Sequence, residues 1–244
     1  MTNGNGKVKL AIGYPHGGSV RHCFMDSLMR FREYDLGHNC LFASRIPAQG
    51  LYIATIRNNI VRDFLGTPCE WLMMIDTDQH FEPHIPYQLL DSALNTGARI
   101  MSALYFGILD GQLAPMWWNK VDGETYGTAS TITDGVQRID AFGCGMCLIH
   151  RSVFEEMAPH YQDDPWKWFG HDLTLFNGHM DRFGEDLCFC DRATKLGFEI
   201  YGDSHVLIGH DKQRIVTLDS FLLEAKPRKE GEPVVQRILD QSVV

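Results

Sequence analysis

Long apolar runs, a cysteine framework and an excess of cations are all missing from this chain. None of its apolar stretches approaches the ~20 residues that a membrane span requires. The polar start, residues 1–6, is not followed by an apolar leader core, so a secretory signal is not expected. Seven cysteines is an odd number, and they are scattered, which fits a reducing compartment and not a disulfide scaffold. Lys and Arg number 22 against 31 Asp and Glu, a formal net charge of −9. That balance argues against a non-specific nucleic-acid coat, which must neutralise phosphates, but leaves room for a local basic groove. There is no internal repeat and no low-complexity tract. What remains is an ordinary globular composition, 44% hydrophobic and 22% charged over 244 residues. That is enough for one substantial domain, expected to be soluble and cytoplasmic.

Two cysteine pairs invite a zinc reading. Cys144 and Cys147 fall in a predicted strand, where i and i+3 point to opposite faces. Cys188 and Cys190 fall in a predicted helix, where i and i+2 also diverge. All four are therefore expected as small buried core residues.

Hydrophobic periodicity places a strand at 7–14, a helix at 20–34, a second strand at 39–43 and a helix at 53–65 ending on Gly66. A strand at 71–75, a helix from Pro83 to about 95 closed by Gly97, and a strand at 99–105 follow. This β-α-β-α-β-α-β alternation predicts an α/β domain with a mostly parallel central sheet flanked by helices. Residues 107–135, rich in Gly, Thr and Asp and containing Trp117 and Trp118, read as a hairpin or irregular excursion. A long strand at 138–150, a short helix at 152–157 and an aromatic loop at 163–179 come next. A helix at 187–196 and short strands at 198–201 and 205–208 complete the domain. The chain beyond residue 216 is polar and charged and reads as a peripheral tail.

Asp76-Thr77-Asp78 stands directly behind the apolar run Trp71-Leu72-Met73-Met74-Ile75. Acids that end a buried strand sit at the carboxyl edge of a sheet, where open α/β sheets bind ligands. At i and i+2 the two carboxylates can share one side of an extended segment. Such a pair suits Mg²⁺ or Mn²⁺, which can also hold a diphosphate.

Four clusters then stand in order: Tyr14-Pro15 after the first strand, Arg57-Asn58 opening a helix, the acid pair, and Gly184-Glu185-Asp186 with His210 beyond. This order resembles the GT-A glycosyltransferases, in particular the small soluble family-two-like members found in phage genomes. The resemblance runs from Val8 to about His210. Its most specific stretches are 71–78, 140–154 with Gly143, Gly145 and Arg151-Ser152-Val153-Phe154, and 183–210. Departures are Gln79 after the acid pair, Cys144 and Cys147 in strand positions, and residues 107–135, which match nothing.

The resemblance implies a GT-A-type, Rossmann-like domain over 7–215, with a nucleotide-binding half (7–106), an acceptor and catalytic half (107–215) and a tail (216–244). It implies a metal-dependent, inverting hexosyltransferase with a UDP-sugar donor. Asp78, with Asp76 and His210, would ligate Mn²⁺ or Mg²⁺, and the imidazole leans the set toward Mn²⁺. Asp76 and Thr77 would contact the nucleotide, Tyr14 and Pro15 the base, and Arg57 and Asn58, at a helix start, the base and phosphate. Asp186 would be the general base, its pKa raised by the like charge of Glu185. Trp166, Trp168, Trp117 and Trp118 are candidate sugar platforms. A hydroxymethylated pyrimidine in phage DNA is the first candidate acceptor, with Arg45, Arg57, Arg62, Lys226, Arg228, Lys229 and Arg237 available for phosphates. A polysaccharide, a lipid-linked glycan or a protein are rival acceptors. A sugar nucleotidyltransferase and a non-catalytic carbohydrate-binding module are readings of other classes.

Overall fold

The computed structural model describes residues 8–212, except positions 39, 110, 122, 124, 130, 172, 177, 178 and 183, and for 173–176 and 179–182 the backbone alone. The predicted ends, 1–6 and 216–244, lie outside the described residues, and the compact unit closes at Asp211.

The elements are β1 (Leu10–His16), α1 (His22–Leu36), β2 (Phe42–Gln49), α2 (Ile53–Leu65), β3 (Trp71–Ile75), β4 (Gln79–His80), α3 (Ile85–Thr96) and β5 (Ile100–Leu104). There follow β6 (Phe106–Leu109), β7 (Gln112–Pro115), β8 (Trp117–Lys120), β9 (Tyr126–Thr128), β10 (Val136–Ile139), β11 (Ala141–Phe142), β12 (Met146–His150) and α4 (Arg151–Met157). Last come β13 (Leu173–Phe176), β14 (His179–Arg182), α5 (Glu185–Lys195), β15 (Ile200–Leu207) and β16 (Gly209–His210).

The central sheet has seven strands in the order β10-β15-β5-β12-β3-β1-β2. Strands β1, β2, β3, β5 and β15 run one way, and β12 and β10 are antiparallel to their neighbours. Both faces are covered, which is why β3 and β5 are apolar without alternation. Leu72 and Met74 face a core closed by α2, α4 and α5, through Ile60, Phe64, Phe154 and Phe189. Trp71, Met73 and Ile75 face the other core, closed by Phe24, Leu28 and Phe31 of α1 and Leu89, Leu90 and Ala93 of α3. A Cβ on Gly13 would stand 2.3 Å from the Ile60 side chain, so α2 lies directly on the β1 backbone.

Helix α2 and strand β3 stand where periodicity placed them. Strand β2 lies later than 39–43, at the sheet edge beyond β1. The predicted excursion is two successive hairpins, β6–β7 and β8–β9. The long strand predicted at 138–150 is instead three pieces in two sheets: β10 and β12 in the central sheet, β11 against β8 in a second one. Gly143 and Gly145 break it because Tyr105 fills the space their side chains would take, at 2.3 and 2.5 Å. The strands predicted at 198–201 and 205–208 are one strand, β15, whose pairing shifts register between Asp203 and Leu207. The aromatic loop carries β13 within it.

The four cysteines of the two pairs are buried as expected, and Cys147, Cys188 and Cys190 lie in a strand and a helix as read. Cys144 lies in a turn, and Cys144, Cys147, Cys188 and Cys190 all enter the same core. Burial pushes the Cys144 and Cys190 thiols well above their ordinary pKa.

Candidate active site

The chain leaves β3 in a turn, not an extended segment, and this separates the surroundings of the two acids. Asp76 Oδ1 accepts from Arg57 at 2.9 Å. Asp78 Oδ1 accepts from Gln79 Nε2 at 3.1 Å, and Oδ2 stands 3.1 Å from His210 Nε2. The small β4–β16 ladder, which pairs Gln79 with His210, carries the distal histidine to this point. Backbone bonding from Asp211 N–H to Asp78 O, 2.8 Å, fixes the join.

Arg57 is almost fully buried and links the two halves of the site. Its Nε donates to Glu185 Oε1 at 2.8 Å while the Nη2 group holds Asp76. Burial opposes its charge, but Asp76, Cys144, Glu185 and Asp186 more than offset this, and its pKa stands well above the ordinary value. The third nitrogen, Nη1, is buried without a partner. Asp76 itself titrates high, chiefly through burial, against the pull of Arg57 and with the push of Asp78.

Glu185 and Asp186 open α5. Glu185 is committed to Arg57. Asp186 is half-buried and accepts from Leu187 N–H at 2.8 Å. Its carboxyl is raised to about 7, first by burial and then by Glu185, while Arg57 lowers it. A helix N-terminus would favour its ionised form; here burial and like charge win. Tyr105, which sequence reasoning did not single out, lies beneath: its hydroxyl accepts from Gly145 N–H at 3.2 Å and its ring stands edge-on to His210.

A cleft of about 450 Å³ opens beside the acid pair, lined among others by Pro15, His16, Arg21, Arg57, Asp76, Thr77 and Asp78. That is the size of small-molecule sites. Two helices begin on its wall, α1 after Arg21 and α2 after Tyr52, and neither start is capped by a side chain. Their free N–H groups favour an anion. Arg57 and Asn58 do not: they are the fifth and sixth residues of α2, inside the helix.

Several predicted contacts fall elsewhere. Tyr14 is a core residue packed on Phe24, and only its neighbour Pro15 reaches the cleft. Asn58 is buried, donating to Ala54 O and Phe169 O and accepting from Trp168 N–H, so it ties down the aromatic loop. Trp168 is core, its indole donating to Phe154 O. Trp117 and Trp118 are core as well. Trp166 alone is exposed, its indole held by Thr55 at 3.0 Å. A second depression, lined by Arg62, Lys167 and Trp168 among others, lies alongside.

Asp76, Asp78 and His210 do not converge as a three-donor set, and no such group occurs among the described residues. Two of them, Asp78 and His210, are hydrogen-bonded neighbours that could hold an ion only with further ligands from substrate or water. Neighbouring donors on an octahedral ion with ~2.1 Å bonds stand ~3 Å apart, as Asp78 Oδ2 and His210 Nε2 do. His210 Nδ1 lies 2.9 Å from Phe106 O. The ring thus faces an acceptor on each nitrogen, and a neutral imidazole has one N–H. A backbone carbonyl behind the ring is the usual support of a ligating histidine.

No protein-family model matches the chain, and no curated protein does. Solved structures match it. A197 from STIV aligns with a TM-score of 0.55 at 15% identity, over 86% of this chain and 98% of that one. GalNAc-T7, solved with UDP, GalNAc and Mn²⁺, aligns with a TM-score of 0.52 at 10% identity, over 86% of this chain. The chain spans 45% of the length of GalNAc-T7. The fold is the GT-A type. No helix among the described residues is long and apolar enough to cross a membrane.

Proposed function

We propose that the chain is a metal-dependent glycosyltransferase that moves a sugar from a UDP-sugar to an acceptor hydroxyl with inversion. The observation that carries this reading is the Asp78–His210 pair, two donors 3.1 Å apart at the mouth of a nucleotide-sized cleft. Asp78 and His210 would hold Mn²⁺ or Mg²⁺, with phosphate oxygens and water completing the shell. The ion's chemistry is to offset charge on the departing diphosphate. The starts of α1 and α2 with Arg21 and His16 receive phosphate and nucleoside. Arg57 holds Asp76 toward the cleft and keeps one buried N–H for a ligand oxygen.

In the transfer step the acceptor oxygen bonds to the anomeric carbon, and the bond to the diphosphate oxygen breaks. Asp186 takes the acceptor's proton, and the nucleoside diphosphate leaves. A carboxyl raised to about 7 is basic enough for this and still substantially ionised at neutral pH. A hydroxymethylated pyrimidine in phage DNA remains the acceptor we favour. Trp166 would stack on the extruded base, and Arg62 and Lys167 would meet phosphates.

Donor hydrolysis with and without Mn²⁺ tests the reading. Metal-dependent release of UDP from UDP-glucose or a related donor is the expected outcome. Pyrophosphate-dependent exchange would instead mark a nucleotidyltransferase, and neither activity a binding module. Nucleoside mass spectrometry of DNA with and without hydroxymethylated bases then tests the acceptor.

A further inference from the structure

Gln79 follows the acid pair and is completely buried. Its backbone pairs with His210 in the β4–β16 ladder, and its side-chain Nε2 donates to Asp78 Oδ1 at 3.1 Å. Its Oε1 has no partner. The opposite placement of the amide would set Oε1 against a carboxylate oxygen, so the donor must face Asp78. Burying an amide with one arm idle is costly, because the unpaired group has given up its water. An apolar side chain of the same length would fill the space without that cost. Packing therefore does not ask for glutamine here.

What glutamine supplies is a neutral donor to one oxygen of Asp78. An aspartate χ2 is broad and roughly two-fold, so without this donor the carboxylate would be less sharply oriented toward an ion. Oδ1 is bonded to Gln79, and Oδ2 faces His210 Nε2. We propose that Gln79 is a positioning residue that holds Asp78 with Oδ2 turned to a divalent ion beside His210. The proposal rests on the metal reading of this site.

Gln79→Met removes the donor while keeping length and burial. Gln79→Asn keeps the amide but withdraws it by one methylene. Mn²⁺ is titrated into the full-length protein, alone and with UDP, and the free hexaaqua ion is followed by electron paramagnetic resonance. Melting is recorded separately in EDTA. The expected result is a 10–100-fold loss of Mn²⁺ affinity in both variants. The metal-free melting temperature of Gln79→Met should be unchanged or higher, because an unpaired buried acceptor is removed. Native uptake with unchanged affinity in either folded variant overturns this proposal alone. So does a fall in metal-free melting in both variants large enough to account for the affinity loss. Failure of the native protein to take up Mn²⁺ overturns the metal reading and this proposal with it.

Discussion

Asp76 and Asp78 are two residues apart and chemically identical, yet they belong to different systems. Asp76 lines the cleft too, but it is gripped by a buried guanidinium that also holds Glu185. Asp78 is turned to an imidazole and an amide at the edge of the cleft. The contrast teaches that an acid-x-acid pair need not act as one chelating unit. Neighbours decide which partners each carboxylate meets: a buried guanidinium for Asp76, an imidazole and an amide for Asp78.

Asp78→Ala should break the Asp78 side of this contrast most severely. Metal-dependent UDP release is expected to fall ~10³-fold or more, since the effect of a Lewis acid on a leaving diphosphate is several kcal/mol. The melting temperature should fall modestly, because the buried Gln79 amide loses its acceptor. Asp186→Asn should reduce transfer ~10²–10⁴-fold, the usual range for a general base, while UDP binding by calorimetry survives. Full transfer by this variant would falsify the base assignment.

The pH dependence sharpens the same point. In the native protein kcat/KM should rise with pH and level off above about 7, as Asp186 ionises. Stability moves the opposite way. The raised carboxyl contributes stability that is fully present below its ordinary value of 3.8 and is lost as pH rises through about 7. Asp186→Asn is neutral throughout, so urea denaturation should show it gaining on the native protein by ~1–2 kcal/mol between pH 4 and 8.

Arg57→Met attacks the Asp76 side. It leaves the buried Glu185 and the partly exposed Asp76 without their cation, which should cost ~3–5 kcal/mol in urea denaturation. If the loss were under ~1 kcal/mol, the ion network would not be the support described. The smallest contrast separates the two loop tryptophans. Trp168→Ala should destabilise by ~3–5 kcal/mol, because the indole is core. Trp166→Ala should change stability by less than ~1 kcal/mol and raise the acceptor KM.

Much of the first half of the fold could be read in advance, because α2, β3 and β5 carry their own patterns: a 3.6 period or a short unbroken apolar run. Gly143 and Gly145 were visible as interruptions in 138–150. That they divide the chain between two sheets depends on Tyr105, which fills the space beside them and lies far away in sequence. The same limit applied to side-chain roles. Asn58 and Tyr14 sit beside site residues in the chain but point into the interior, and Trp168 resembles Trp166 until burial separates them.

By itself the sequence determined an α/β sheet covered on both faces, an acid pair at the carboxyl end of β3, and an acidic start to α5. These follow from local periodicity and the order of residues. Only the tertiary structure decided that Arg57 would bind Asp76 and Glu185 together, that a two-residue ladder would bring His210 to Asp78, and that Asp186 would titrate near 7. Each depends on which groups share a volume shielded from water, and that is set by the packing of strands and helices remote from one another along the chain.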